Sequence, residues 1–300
     1  MKLYAPKYYN EFKCIADRCR HSCCVGWEID IDGDTLDRYA SLKAGYGKKI
    51  IDTIDTEGTP HFRLAEGERC PHLDGTGLCR IISELGEGYL CDICKEHPRF
   101  YNYTGASLET GLGMSCEEAC RIILCSDDYR ELVELGECDG EEAFDIDVVS
   151  LRNRIYSLLS DRARSYRERI DAICREFGVP SLDARDGEIR ELFDSLEYLE
   201  PSHKELFKAY CARVSLPCEL EIKLERAFAY FVYRHCSEDV DTEGYRASLC
   251  LCVILERALA SAAMALGESI EEAARVISEE IEYSEDNTES LRAFAGRIMI

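Results

Sequence analysis

Nine cysteines in three tight groups hold most of the chemistry this chain can do. The first group is Cys14-x4-Cys19-x3-Cys23-Cys24, and the second is Cys70 and Cys79 followed by Cys91-x2-Cys94. The third is Cys116 at the end of Gly111-Leu112-Gly113-Met114-Ser115. Three further thiols before residue 140, Cys120, Cys125 and Cys138, and the six later ones are weaker ligand candidates, because on helical segments cysteine is more often a small buried hydrophobe than a ligand. A chain of 300 residues buries a core without disulfide staples, so the grouped thiols read as metal ligands. One structural zinc takes four ligands. A surplus of soft sulfur donors fits an iron-sulfur cluster, a cluster with a zinc, or two zinc sites. Neither common ferredoxin spacing is matched, and spacing alone leaves these alternatives open.

The elements around the thiols must be irregular to bring them together. Neighbours on a regular helix or strand point apart, so Cys23 and Cys24 serve one site only from a loop. Gly26 permits a tight turn beside them, and the alternation Glu28-Ile29-Asp30-Ile31-Asp32 predicts a short strand leading away. Asp74 to Gly77 is turn chemistry that returns Cys79 toward Cys70. Ser115 is placed to cap a helix with Glu117 and Glu118 in its first turn.

Beyond Cys138 the sequence changes character at Asp139-Gly140-Glu141-Glu142 and turns helical. Leu151, Ile155, Leu158, Leu159, Tyr166, Ile170, Ile173 and Phe177 predict one long amphipathic helix stopped by Gly178 and Pro180. The same periodicity predicts helices at about 187–199, 202–214, 218–236, 243–266, 268–282 and 286–297. The expected architecture is mainly α: an irregular cysteine-rich metal-binding N-terminal module over 1–138, then an all-helical bundle over 139–300. The net charge of −23 argues against nucleic acid as a partner, because phosphate backbones are held by clustered Lys and Arg. Met1 to Tyr9 is polar and interrupted by Pro6, unlike a secretory leader, so a cytoplasmic location is expected. The longest apolar run, Ala247 to Leu255, ends at Glu256 and Arg257, short of a membrane span.

The blocks around the thiols resemble the flagellin lysine-N-methylase family. The likeness runs from Pro6-Lys7-Tyr8-Tyr9-Asn10-Glu11-Phe12-Lys13-Cys14 through Cys23-Cys24-Val25-Gly26-Trp27 and Arg69-Cys70-Pro71. It continues through Gly77-Leu78-Cys79-Arg80, Leu90-Cys91-Asp92-Ile93-Cys94, Pro98-Arg99-Phe100 and Ser115-Cys116-Glu117-Glu118-Ala119, with weaker echoes at Ala229 to His235 and Ile281 to Asn287. Glu117 stands where the family pattern has proline, and His97 where it has an aromatic residue. The cysteine pattern is also similar to a broader group of zinc- or iron-chelating proteins. The family resemblance implies methyl transfer from S-adenosylmethionine to lysine side chains of flagellin. It also implies an iron-sulfur cluster, of the 4Fe-4S type, on Cys14, Cys19, Cys23, Cys24, Cys70, Cys79, Cys91, Cys94 and Cys116, with zinc as the alternative.

No glycine fingerprint for the methyl donor is evident. Gly111-x-Gly113 and Gly45-x-Gly47 do not join a strand to a helix as a dinucleotide fold requires, and the Cys-x3-Cys-x2-Cys spacing of radical enzymes is absent. Methyl transfer to lysine needs a neutral amine, and a Tyr or His can take its proton. Tyr230, Tyr233 and His235 are the catalytic candidates, with Arg234 as the candidate cofactor-binding residue. Leu220, Leu224, Ala227, Phe228 and Phe231 give the same segment an ordinary core face. The competing functions are a non-enzymatic zinc- or iron-binding protein and a redox protein using Cys91 and Cys94.

Overall fold

The computed structural model describes residues 1–140, 145–214, 217–239, 241–265, 267 and 269–299. Glu141, Glu142, Leu266, Glu268 and Ile300, on which parts of the expected domain change and expected helix and domain ends fall, lie outside the described residues. The fold is mainly α, and it divides into two compact units, Lys13–Arg99 and a larger one of Met1–Phe12 with Phe100–Ile300. The composition change at 138/139 falls within the larger unit.

In the larger unit, apart from Arg99 at the boundary, a four-stranded sheet runs in the order Arg99–Tyr103, Ser107–Leu112, Lys2–Pro6, Leu132–Glu137. Lys2–Pro6 pairs parallel with Ser107–Leu112 and antiparallel with Leu132–Glu137. Helices follow from Val148 onward, around a core that Cys218–His235 and Thr242–Ala265 dominate. The long helix expected over 151–177 is two helices, Val148–Leu159 and Tyr166–Phe177. The break was encoded: Ser165 and Glu168 form a reciprocal capping box that starts the second helix, a Ser-x-x-Glu signal inside the apolar periodicity. Gly178 ends that helix in the left-handed conformation at φ 69°.

Thr242–Ala265 is longer and more apolar than the run ending at Leu255 suggested: by length and composition it could cross a membrane. Glu256 and Arg257 pair with each other at 3.2 Å and are both buried, so they do not end the apolar face, and 94% of that stretch is buried inside the protein. It is built as a core helix. The expected helix over 202–214 is a short 3-10 turn, Pro201–His203, leading into Lys204–Lys208. The expected helix over 268–282 is α only from Ile270 to Ile277 and continues as a π turn, Ser278–Glu282.

The smaller unit is irregular. It has four short α-helices, Gly33–Ser41, Gly45–Ile51, Arg80–Leu85 and Asp92–Glu96, two 3-10 turns, Ala16–Arg18 and Glu87–Tyr89, and a two-stranded ribbon, Ile54–Asp55 with His61–Phe62. Its core holds Ile29, Ile31, Tyr39, Ile50, Ile54, Phe62 and Ile81 together with Cys70 and Cys91. Glu28 to Asp32 is not a strand: Asp30 makes one isolated bridge to His61, and Asp32 already caps the next helix.

Candidate functional site

Eight of the nine candidate ligands lie in the smaller unit, and Cys116 lies in the larger one. Two devices in the smaller unit draw thiols together. Asp74 Oδ1 accepts from the amides of Thr76 and Leu78 and from the Thr76 hydroxyl, closing the expected turn and returning Cys79 into a bridge with Leu73. The Cys70 amide donates to the Cys24 carbonyl at 2.8 Å, tying the first group to the second. Asp32 then fixes the Cys91 end: one carboxylate oxygen caps Gly33–Ser41 through the Thr35 amide, and the other accepts the Asp92 amide at 2.9 Å.

The resulting thiols perturb one another. Hydrogen bonding between the Cys91 and Cys94 sulfurs lowers Cys91 and, with burial and the Cys24 and Cys70 charges, raises Cys94. Burial pushes Cys70 up to about 12, with Cys24, Cys79 and Cys91 adding to the rise. A hydrogen bond from Cys23 lowers Cys24 to about 7. Cys24, Cys70, Cys79, Cys91 and Cys94 therefore share one electrostatic neighbourhood, with Cys23 attached through Cys24. Cys14 accepts from the Ala16 amide, and Cys19 donates to the His21 carbonyl. His72 is excluded as a donor, since Tyr46 holds its Nδ1 and Thr53 its Nε2. Among the described residues, no trio of cysteine sulfurs lies within 4.8 Å of one another. Four thiolates on one zinc would stand about 3.8 Å apart.

In the larger unit, Tyr230, Arg234 and His235 converge on a residue that periodicity did not single out, Glu282. The carboxylate is fully buried. It accepts from the Tyr230 hydroxyl at 2.7 Å and from the Ser278 hydroxyl, contacts His235 Nε2 at 2.9 Å, and lies 3.6 Å from Arg234 Nε. Burial alone would raise its pKa. The Arg234 charge and the His235 and Ser278 hydrogen bonds outweigh burial and hold it at about 2. Burial lowers His235, so a neutral ring serves Glu282 as a hydrogen-bond donor and Arg234 is the charge partner. Arg234 also donates to Tyr230 and to the Glu282 carbonyl, and stacks over Phe100 and Tyr283.

Tyr233 points elsewhere: its hydroxyl donates to the Thr110 carbonyl, and its ring lies under Arg152, which is locked to Glu109 by two 2.6 Å hydrogen bonds. The glycines that failed as a cofactor fingerprint have a packing role. A Cβ at Gly113 would fall 2.4 Å from the Tyr283 hydroxyl, and one at Gly111 would fall 2.3 Å from the Phe100 ring. Cys116, not Ser115, is the N-cap of Glu117–Cys125, and the buried Ser115 hydroxyl makes no hydrogen bond.

The described residues thus combine a thiol-rich irregular unit with a mainly helical unit that holds a buried Glu-His-Tyr-Arg network. The chain is similar to lysine-N-methylases, in accord with the resemblance read from its blocks. It is 29% identical over 143 residues to the lysine-N-methylase of Salmonella typhimurium and 30% identical over 144 residues to that of Salmonella choleraesuis. Each match covers 43% of this chain and 34% of the relative, so the likeness spans about a third of the length of those proteins. It is 28% identical over 136 residues to the flagellar biosynthetic protein FliU of Salmonella muenchen, covering 80% of that protein. No family model and no solved structure matches the chain.

Proposed function

We propose that this chain is a protein-lysine N-methyltransferase that takes its methyl group from S-adenosylmethionine, modifies flagellin and carries an iron-sulfur cluster. The observation that carries the reading is the convergence of Cys24, Cys70, Cys79, Cys91 and Cys94 in a chain similar to lysine-N-methylases. These thiols fit a cluster in chemistry. Soft sulfur donors select iron-sulfur or zinc, and a cluster interposes iron and sulfide between thiolates, holding them farther apart than a single zinc does. Cys24, Cys70, Cys79 and the Cys91-Cys94 pair would hold it, in a module that reaches over residues 1–138 in the sequence pattern. A cytoplasmic location fits a cluster that needs reducing conditions.

S-adenosylmethionine supplies an electrophilic methyl group when bound. The lysine nitrogen forms the new C–N bond as the S–CH3 bond breaks, and the nitrogen gives up a proton. His235 is the base in this reading. Glu282 orients the ring through Nε2, leaving Nδ1 as the acceptor, and burial favours the unprotonated ring that a base requires. Tyr230 and Arg234 fix the Glu282 carboxylate, and Tyr233 anchors their helix through Thr110.

The test is anaerobic purification with iron and sulfide quantification, then incubation with S-adenosylmethionine and flagellin. The expected result is a brown protein that adds methyl mass to flagellin lysines. A colourless protein containing only zinc overturns the cluster, and a loaded protein that leaves flagellin mass unchanged overturns the activity.

A further inference from the structure

The turn Pro201–His203 and the π turn Ser278–Glu282 hold a second constellation that the Glu282 network does not use. His203 Nδ1 lies 2.6 Å from Glu280 Oε1 and 3.8 Å from Glu279 Oε2, and the three ligand atoms all fall within 4.8 Å of one another. Glu280 is completely buried, Glu279 is 18% exposed and His203 is 22% exposed. Arg275 donates to Glu272 and, at 2.8 Å, to the same Glu279 Oε2 that faces His203, so a cation would share that oxygen with the guanidinium, while the buried Glu280 faces the imidazole. A fully buried carboxylate needs each of its partners, and the imidazole is the side chain that faces it.

The backbone has prepared Glu280 to hold its position. Oε2 accepts the Leu199 amide at 2.8 Å and Oε1 the Glu200 amide at 3.2 Å, so the carboxylate is fixed while Oε1 keeps capacity toward Nδ1. A cation bound at about 2.0–2.2 Å by nitrogen and oxygen donors sets them roughly 3.3 Å apart, and the two observed separations bracket that value. The π turn Ser278–Glu282 is what presents Glu279 and Glu280 beside His203, and π turns recur at functional sites.

We propose that His203, Glu279 and Glu280 form a site for a first-row divalent transition metal, in which the cation replaces the proton between Nδ1 and Oε1. One imidazole and two carboxylates suit manganese, iron(II), cobalt or zinc, and the partial exposure of His203 leaves coordination positions to water. The site lies in the larger unit, apart from the eight candidate thiol ligands of the smaller one, and its argument does not use the methyltransferase reading, although its π turn also carries Glu282.

Cobalt(II) titrated into the anaerobically purified chain, with its own thiol-bound centre in place, tests it. Visible ligand-field absorption identifies a nitrogen-oxygen site, because thiolate ligation adds strong near-ultraviolet charge-transfer bands. The expected result is one cobalt per chain without those bands, a melting temperature that rises with cobalt, and affinity weakened about tenfold or more in His203→Ala and in Glu279→Gln. Glu279→Gln keeps side-chain volume and tests the site even where His203→Ala loosens the loop; unchanged iron content shows that the thiol unit is intact. Equal cobalt affinity in wild type and Glu279→Gln, or cobalt bands of thiolate origin alone, overturns the proposal and leaves His203-Glu280 as a proton-mediated pair.

Discussion

Replacing Glu282 with glutamine isolates the charge at the centre of the buried network while preserving its shape. The carboxylate lies at 0% exposure with Arg234 at 11%, so no solvent screens the pair. The pKa, held at about 2 against an ordinary 4.5, corresponds to roughly 3 kcal/mol of stability at neutral pH. Breaking a buried ion pair from one side costs about 3–5 kcal/mol, an independent route to the same magnitude. Because the folded-state pKa is depressed, the stabilisation is fully present above the unfolded pKa near 4.5 and is lost as pH falls toward 2. Glutamine lacks that dependence. Urea denaturation of wild type and Glu282→Gln from pH 7 to pH 2.5 should therefore show a gap of about 3 kcal/mol that narrows below pH 4.5. For a unit of this size the gap corresponds to a melting temperature roughly 6–12 °C lower at pH 7. A variant within 1 kcal/mol of wild type, or a gap that stays constant with pH, refutes the assignment of Glu282 as the ionised hub.

Three further outcomes test the surroundings. With the proposed cluster, Cys24→Ser should lose most of the iron while Cys23→Ser retains it, measured by iron and sulfide content of anaerobic protein, because Cys24 is the member of the adjacent pair that shares the Cys70-Cys79-Cys91-Cys94 neighbourhood. Gly113→Ala should destabilise by about 1–3 kcal/mol in chemical denaturation, since its Cβ would fall 2.4 Å from the Tyr283 hydroxyl and 3.0 Å from Arg234 Nη1. Ser165→Ala should cost about 1 kcal/mol by removing the capping box, with hydrogen exchange faster across the first turn of Tyr166–Phe177.

The sequence was most legible where local chemistry decides the outcome. Turn residues at Asp74 to Gly77, the left-handed Gly26 and Gly178, and the apolar faces of Cys218–His235 and Glu285–Ile298 all form as their residue types dictate. It was least legible where partners are distant. The strand Lys2–Pro6 pairs with Ser107–Leu112 and Leu132–Glu137 across more than a hundred residues, and nothing in its five residues announces a parallel neighbour. The helix expected over 151–177 split because a periodic apolar face continues across a loop when both helices pack on one core, and only Ser165-x-x-Glu168 marks the break.

Glu282 shows why candidate site residues are harder to read than folds. Tyr230, Tyr233, Arg234 and His235 could be nominated together because they fall on one helical stretch, yet what organises three of them lies 47 residues beyond His235 and the fourth, Tyr233, joins Thr110 instead. The run Ser278-Glu279-Glu280-Ile281-Glu282 reads as a solvated acidic face under α periodicity. In the π turn the same residues divide differently: Glu280 and Glu282 are both fully buried, one meeting His203 and the Leu199 and Glu200 amides, the other meeting Tyr230, Arg234 and His235. Burying two carboxylates within three residues is affordable only because each finds charged or donor partners on a different element. The acidic run is thereby the structural link between the buried network and the His203 site, so substitutions that regularise the π turn, such as deletion of one residue between Ser278 and Glu282, would uncouple both at once.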